Sequence, residues 1–381
     1  MYSIFGYGNM IADRVRMDAY YKALQAAIEP NSIVLDIGTG TGIFALLACQ
    51  FGAKKVYAIE PSDAIEVGKK IANINRYSDR IQFIQQFSTN VRLPELVDIV
   101  ISDLRGTIPL LKSHIPVIID ARKRLLSPDG ILIPQRDILW AAVVEAPELY
   151  SPIVDVWENN AYGLNMAIVR QIVLNNWSKG KINSEQLLTT PQSWVTLDYT
   201  TINSPDVSAQ LNWIVTRNGT AHGLSIWFDA ILAEGIGFSN APSMPELVYG
   251  MGFLPWLTPV SLAIGDTVSV TLQANLVGDD YIWRWNTCIL DRGNPKKVKA
   301  KFQQSTFFGM PVSLQQLGKS AANYVPKINE EGEIDRLILN LMSSGKTIGD
   351  IASMVWEQFP TRFVSWHDTL KRVTELSRRY S

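Results

Sequence analysis

The run VLDIGTGTGIFALLA, residues 34–48, constrains this chain more than any other stretch. An apolar, strand-like segment delivers Asp36 into a turn carrying Gly38, Gly40 and Gly42, and an apolar helix-like segment follows at once. Glycines so spaced let the backbone turn sharply, approach a ligand closely and aim helix N–H groups at it. A dinucleotide-binding G-x-G-x-x-G turn would place its third glycine where this chain has Ile43. The next strand-like run, KVYAIE, ends in Glu60, 24 residues after Asp36, well placed to accept hydrogen bonds from both hydroxyls of a ribose. Asp36, the glycine turn and Glu60 together point to S-adenosylmethionine (SAM) as the cofactor. A nicotinamide cofactor and a ligand-free packing turn are the alternatives.

Around this turn the chain changes texture twice. From about residue 10 to 145, strand-like runs (32–38, 55–60, 80–85, 97–103, 130–145) alternate with helical stretches (12–28, 43–51, 63–75, 115–126), and SPDG (127–130) reads as a turn. Such alternation predicts a parallel, doubly wound sheet, an α/β Rossmann-like domain over 1–145 that carries the SAM turn. Residues 151–177 are partly helical. Two-period strands then recur at 194–202, 208–215, 222–232, 267–276 and 281–290, which predicts a β-barrel or sandwich over 146–314. A polar linker, 315–332, leads to a small helical domain over 333–381, read as three short helices with Thr347 and Asp350 as a capping box.

Composition limits the function classes. With 47% apolar and 19% charged residues the chain is globular, and its net charge of −1 gives no sign of a nucleic-acid or membrane-surface protein. Two isolated cysteines, Cys49 and Cys288, argue against disulfides or a cysteine metal site. No signal-like or membrane-length apolar run appears, so a cytoplasmic protein with no metal is expected.

The segment MIADRVRMDAYYKAL resembles the one that precedes the SAM fold in the protein arginine methyltransferase family. VLDIGTGTGIFALLACQFGAKKVYAIEPS continues the likeness without a gap, and VDIVISDLRG is similar to the strand and loop that follow. WENNAYGLNM (157–166) resembles the region of the family's dimerisation arm, and HGLSIWFD and PVSLAIGDTVSV resemble barrel strands. The resemblance, over about residues 5–290, implies a head-to-tail homodimer built through 151–177. It also implies cofactor contacts from Arg16, Asp36, Gly38, Gly40 and Glu60, with Met10 and Ser88 completing the expected set. Arg16, four residues before Tyr20, could clamp the cofactor's carboxylate bidentately.

The departures concern the acceptor. The family's two loop glutamates fall on Asp103 and Lys112, and its Thr-His-Trp motif falls on Leu247–Tyr249 and is absent. A guanidinium needs acceptors for five N–H groups. Exchanging a glutamate for lysine at ~4 Å and an effective dielectric of ~20 swings the interaction by about 8 kcal/mol. The loop 102–114, with Arg105, Lys112 and His114, therefore suits a neutral or anionic oxygen or nitrogen acceptor. His114, with His222 as a second candidate, is the expected base where one is needed. Asp103 would orient a histidine or bind a substrate N–H. Trp283, Arg284 and Trp285 are candidates to line the barrel side of the cleft, with a core role as the plainer alternative.

The helical domain weakly resembles small peptide-binding domains of ribosomal-peptide maturation, including that of pyrroloquinoline quinone biosynthesis, and also a winged-helix fragment. That resemblance implies a peptide acceptor; packing on the barrel is the alternative. The expectation is thus a SAM-dependent methyltransferase acting on a non-guanidinium acceptor of a peptide or specialised metabolite. The alternatives are a genuine arginine methyltransferase and a catalytically inactive SAM-binding partner subunit.

Overall fold

The computed structural model describes residues 3–159 and 162–381. It divides into two compact units, Met1–Pro311 and Val312–Ser381.

In the first unit, β1 (Ile33–Ile37), β2 (Lys55–Ile59), β3 (Ile81–Ile84), β4 (Val97–Ser102) and β5 (Leu126–Ile133) form one parallel sheet in the order β3-β2-β1-β4-β5. The Val/Ile/Leu runs of β1 and β4 suit strands covered on both faces. Strand order reverses between β1 and β4, and in open parallel sheets ligands bind beyond the carboxyl ends at such a point. Helices α1 (Ile4–Ala12), α2 (Arg14–Ala27), α3 (Ile43–Gln50), α4 (Ala64–Ile74) and α5 (His114–Arg124) accompany this sheet in sequence.

Local sequence reading needs two corrections here. The amino-terminal region holds two helices, divided at Asp13, whose side chain accepts from the Arg16 N–H and caps α2. Helix α1 buries no residue, which is why no apolar stripe announced it. SPDG is a bulge inside β5 rather than a turn between elements: Ser127 to Gly130 fall between the Val97–Leu126 and Ile99–Ile131 pairs and have no registered partner on β4.

The rest of the unit is antiparallel. It comprises β6 (Arg136–Val144), α6 (Pro147–Glu158), α7 (Ile168–Val173), β7 (Ser178–Gly180), β8 (Gln192–Asp198), β9 (Val207–Ile214), β10 (Gly219–Ala233), β11 (Ile236–Ser239), β12 (Met251–Leu262), β13 (Thr267–Val277), β14 (Asp280–Asp291) and β15 (Asn294–Phe302). One sheet runs β7-β12-β10-β6-β8 with β11 added beside β10, and the other runs β15-β14-β13-β9. The apolar run 130–145 is two strands, because the chain leaves the parallel sheet at Ile133 and enters the antiparallel one at Arg136. β15 was not anticipated, although Val298, Ala300 and Phe302 alternate with lysines along it. Asn160 and Ala161, within the WENNAYGLNM stretch, lie outside the described residues. One apolar core runs continuously from the parallel sheet into the antiparallel ones.

The second unit holds α8 (Leu314–Lys319), inside the stretch read as linker, then α9 (Glu330–Met342), α10 (Ile348–Gln358) and α11 (Trp366–Tyr380). Ile334, Ile338, Ile351, Val355, Val373 and Leu376 form its own small core. Thr347 and Asp350 make the reciprocal capping box at the start of α10. No helix among the described residues is long and apolar enough to cross a membrane.

Candidate active site

Ile37 at the end of β1 lies opposite Ser102 at the end of β4, so the glycine turn and the 102–114 loop leave the sheet side by side. Gly38, Gly40 and Gly42 have φ of 74°, 54° and 88°, a region that other residues adopt at a cost. The turn is also covered closely. A Cβ on Gly38 would come within 2.5 Å of Leu104 Cδ2, and one on Gly40 within 2.3 Å of Tyr7 Cε1.

Asp36 is buried, accepting from Thr39 Oγ1 at 2.6 Å and the Ala45 N–H at 3.1 Å, while its Oδ1 has no hydrogen-bond partner among the described residues. Glu60 accepts from the Gly40 and Ser62 N–H groups at 3.1 and 3.0 Å. Burial pushes the Asp36 carboxyl up to about 7, against the hydrogen bonds from Thr39 and Ala45. An unfolded aspartate ionises near ~4, so between ~4 and 7 the folded chain holds a proton that the unfolded chain has lost. This contribution to stability is fully present below ~4 and is lost as pH rises through 7. In Asp36→Asn the fall of Tm across that window should flatten markedly; a slope identical to wild type would contradict the assignment.

Beside the turn, four charged side chains interlock. Arg16, 2% exposed, reaches Asp103 through Nε at 2.8 Å and Nη2 at 2.6 Å, and its Nη1 donates to the Met10 carbonyl at 3.0 Å. Tyr249 donates to the same Asp103 oxygen at 2.6 Å. Arg105, fully buried, sits 3.7 Å from the other Asp103 oxygen, 2.9 Å from Asp137 Oδ2, and donates to Tyr20 Oη at 2.9 Å. Burial opposes the charge on Asp103, yet Arg16, Arg105 and Tyr249 outweigh it and hold the carboxyl below its usual range. Asp137, with one guanidinium to offset its burial, is instead pushed up to about 6.

The chain of contacts continues from Asp137 to His114. Tyr199 donates its only hydroxyl proton to Asp137 Oδ2 at 2.5 Å, so the 3.1 Å contact to His114 must use a proton on the histidine Nε2. Nδ1 is then the bare nitrogen, and it is buried without a partner among the described residues. Burial, with Arg105 adding to it, lowers His114 to about 3. It opens α5 as a neutral, weakly basic ring, not a base of ordinary strength.

The remaining sequence candidates lie apart from this group. Lys112 is exposed, adopts φ 45°, and makes no hydrogen bond or ion pair among the described residues. His222 sits at an irregularity between β10 and β12, where its Nδ1 accepts from the Ala146 N–H at 3.2 Å and its ring packs on Tyr150. Ser88 is buried, and its carbonyl accepts from Arg124. Trp283 and Trp285 are buried core residues, and Arg284 between them is exposed.

Sequence reading missed Asp137, Tyr199, Tyr249 and Tyr7. A signal existed for Asp137: it shares the buried, period-two face of β6 with Leu139, Ala141 and Val143, and an acid there needs a cation.

Two family models match the chain. Residues 135–272 match the arginine methyltransferase oligomerization subdomain, and residues 19–141 match the ribosomal protein L11 methyltransferase. The chain is 32% identical to a probable protein arginine N-methyltransferase 6 of Arabidopsis thaliana, over 62% of this chain and 55% of that protein. It is also 32% identical to protein arginine N-methyltransferase 1 of Chlamydomonas reinhardtii, over 63% of this chain and 72% of that one. The fold is shared with Arabidopsis thaliana protein arginine methyltransferase 10, with a TM-score of 0.69 and 24% identity over 80% of this chain and 97% of that chain. It is shared too with a Trypanosoma brucei PRMT1 enzyme–prozyme heterotetrameric complex with AdoHcy, at 0.70 and 20% over 78% and 96%. The relatives are named for arginine, and none of these names supports the non-guanidinium acceptor expected from the loop. A glycine turn between two strand-end acids and matched sequence through both sheet systems lead to one assignment: the chain belongs to the protein arginine methyltransferase family of SAM-dependent methyltransferases.

Proposed function

We propose that this chain transfers the methyl group of SAM to an acceptor that carries no positive charge, an oxygen or neutral nitrogen of a peptide or small metabolite. One observation carries the reading: the carboxylates beside the glycine turn, Asp103 and Asp137, are already bound by the chain's own Arg16 and Arg105. A substrate guanidinium would meet a cluster with no net negative charge and, at the loop's outer end, the exposed Lys112.

The residues present fit SAM. Asp36 keeps a buried oxygen without a partner, the glycine turn can be approached closely, and Glu60 has carboxylate lone pairs beside its two backbone contacts. Asp36, Gly38, Gly40 and Glu60 would hold it, with Arg16, Met10 and Ser88 around them. When bound, SAM supplies an electrophilic methyl on a sulfonium. The chain contributes position and dry surroundings, and proximity alone can account for most of the acceleration of an in-line displacement. Neither Asp103 nor His114, the two candidates of the loop, serves as a base of ordinary strength at neutral pH. Asp103 is held ionised against two arginines, and His114 is lowered to about 3. A carboxylate acceptor, already ionised, needs none.

A second reading, genuine arginine methylation, is favoured by the names of the relatives. On the comparisons alone it is the better backed of the two; the charge balance of the loop places it second. The match to an oligomerization subdomain supports a homodimer. We also propose that the helical unit binds a peptide.

The test is methyl transfer from labelled SAM to a panel of arginine-rich peptides, acidic peptides and small acids, read by mass spectrometry. Wild type should label carboxylates or neutral acceptors and leave arginine untouched. Because Lys112 is exposed, each charge term at ~4 Å in water is about 1 kcal/mol, so Lys112→Glu should shift the preference toward cationic peptides by about 30-fold. Arginine methylation by wild type, unimproved in Lys112→Glu, would favour the second reading. No product from any acceptor would favour an inactive partner subunit.

A further inference from the structure

We propose that Arg105 is the chain's own occupant of a guanidinium-binding cage, and that by filling it Arg105 determines which acceptors the enzyme rejects. The first half stands on geometry alone. The second rests on the non-guanidinium reading above.

The Arg105 guanidinium is fully buried and enclosed on every side that the contacts reveal. Its carbon lies 5.4 Å from the ring centre of Phe238, 5.8 Å from that of Phe228 and 5.9 Å from that of Tyr20. Aromatic faces at such distances stabilise a cation. Two carboxylates, Asp103 and Asp137, and the Tyr20 hydroxyl supply acceptors around it. These are the parts that recognition of a planar cation calls for: opposite charge, oxygen acceptors and ring faces.

The fit is incomplete in a telling way. Nε and Nη1 of Arg105 stand near carboxylates without an aligned hydrogen bond, and Asp103 Oδ1 and Asp137 Oδ1 are buried without a hydrogen-bond partner among the described residues. A guanidinium tethered through its own backbone cannot rotate to meet both acids. An untethered one can. The cage therefore holds more acceptor capacity than Arg105 uses, and removing that side chain should create a site for a free guanidinium.

The cage also adjoins the cofactor side of the molecule. Tyr20 stacks on Phe44 of α3, the helix opened by the glycine turn, at 4.4 Å between ring centres. Arg16, packed over both rings, shares Asp103 with Arg105. A cation admitted here would sit among residues that hold the SAM-facing cluster together.

The test uses the full chain, Arg105→Ala, and methylguanidinium chloride, with urea and sodium chloride as controls. Millimolar methylguanidinium should raise the Tm of Arg105→Ala by several degrees over the salt control and leave wild type unchanged. Where the variant does not fold unaided, refolding in methylguanidinium but not in equal sodium chloride reports the same binding. A variant that neither gains stability nor refolds with methylguanidinium overturns the cage. Arginine-peptide methylation should then rise at least tenfold in Arg105→Ala over wild type. Binding without that gain overturns the selectivity role while leaving the cage. Arginine methylation by wild type at full rate overturns the acceptor reading itself, and the binding data still judge the cage.

Discussion

Arg16→Met is expected to lower the stability of the first unit by about 3–5 kcal/mol, the usual cost of stranding a buried charge. Two of the guanidinium nitrogens contact Asp103, at 2.8 and 2.6 Å, and both side chains are almost fully buried. Methionine fills much of the volume but leaves Asp103 with Arg105 at 3.7 Å and the Tyr249 hydroxyl. The urea midpoint reports the stability change, and calorimetric titration with SAM should show affinity falling with it, because Arg16 also ties α2 to the Met10 carbonyl of α1. Adding Asp103→Asn should recover part of the stability, since the stranded charge is gone; the double-mutant cycle isolates that coupling. A midpoint within error of wild type would show that the Arg16–Asp103 pair contributes nothing net.

Trp285→Ala is expected to cost about 3–5 kcal/mol, as truncation of large core aromatics does. Its ring has no exposed surface, its indole N–H donates to the Pro255 carbonyl at 3.1 Å, and Tyr281, Trp283 and Ile289 share its face of β14. If Trp285 were a cleft residue, the substitution would instead raise KM for the acceptor and leave the urea midpoint near wild type. The neighbouring Arg284→Ala, on the exposed face, should change neither.

How much of this was legible beforehand follows from sequence separation. The glycine turn, Asp36 and Glu60 were readable because each is defined by neighbours within one strand–turn–helix unit. The barrel strands were readable from alternation, but Trp283, Arg284 and Trp285 read together as candidates for the cleft, and the structure divides them into two core tryptophans and an exposed arginine. The charged cluster was not. Tyr249 meets Asp103 across 146 residues, and Tyr199 meets Asp137 across 62. No local spacing encodes such pairings. His114 drew notice for its ordinary pKa, yet burial, a tertiary effect, removes its basicity. The loop's cations looked like substrate-facing charges until the structure showed Arg105 turned inward and Lys112 outward. SPDG reads as a turn for a related reason: only the pairing of Leu126 and Ile131 with β4, on either side of it, makes those four residues a bulge within one strand.

The Arg105–Asp137 pair also bears on the routes by which such a protein can change. Both members are fully buried and come from different sheet systems. Losing either one alone leaves the other charge stranded, at about 3–5 kcal/mol, against a total stability for natural domains of about 5–15 kcal/mol. A lineage carrying the pair therefore stands on a local peak. Single substitutions at either position lead through poorly folded intermediates, and only paired replacement, or prior stabilisation elsewhere, opens a path to a different acceptor loop. Directed evolution of this scaffold would do better with libraries that vary residues 105 and 137 together than with stepwise mutagenesis of the loop.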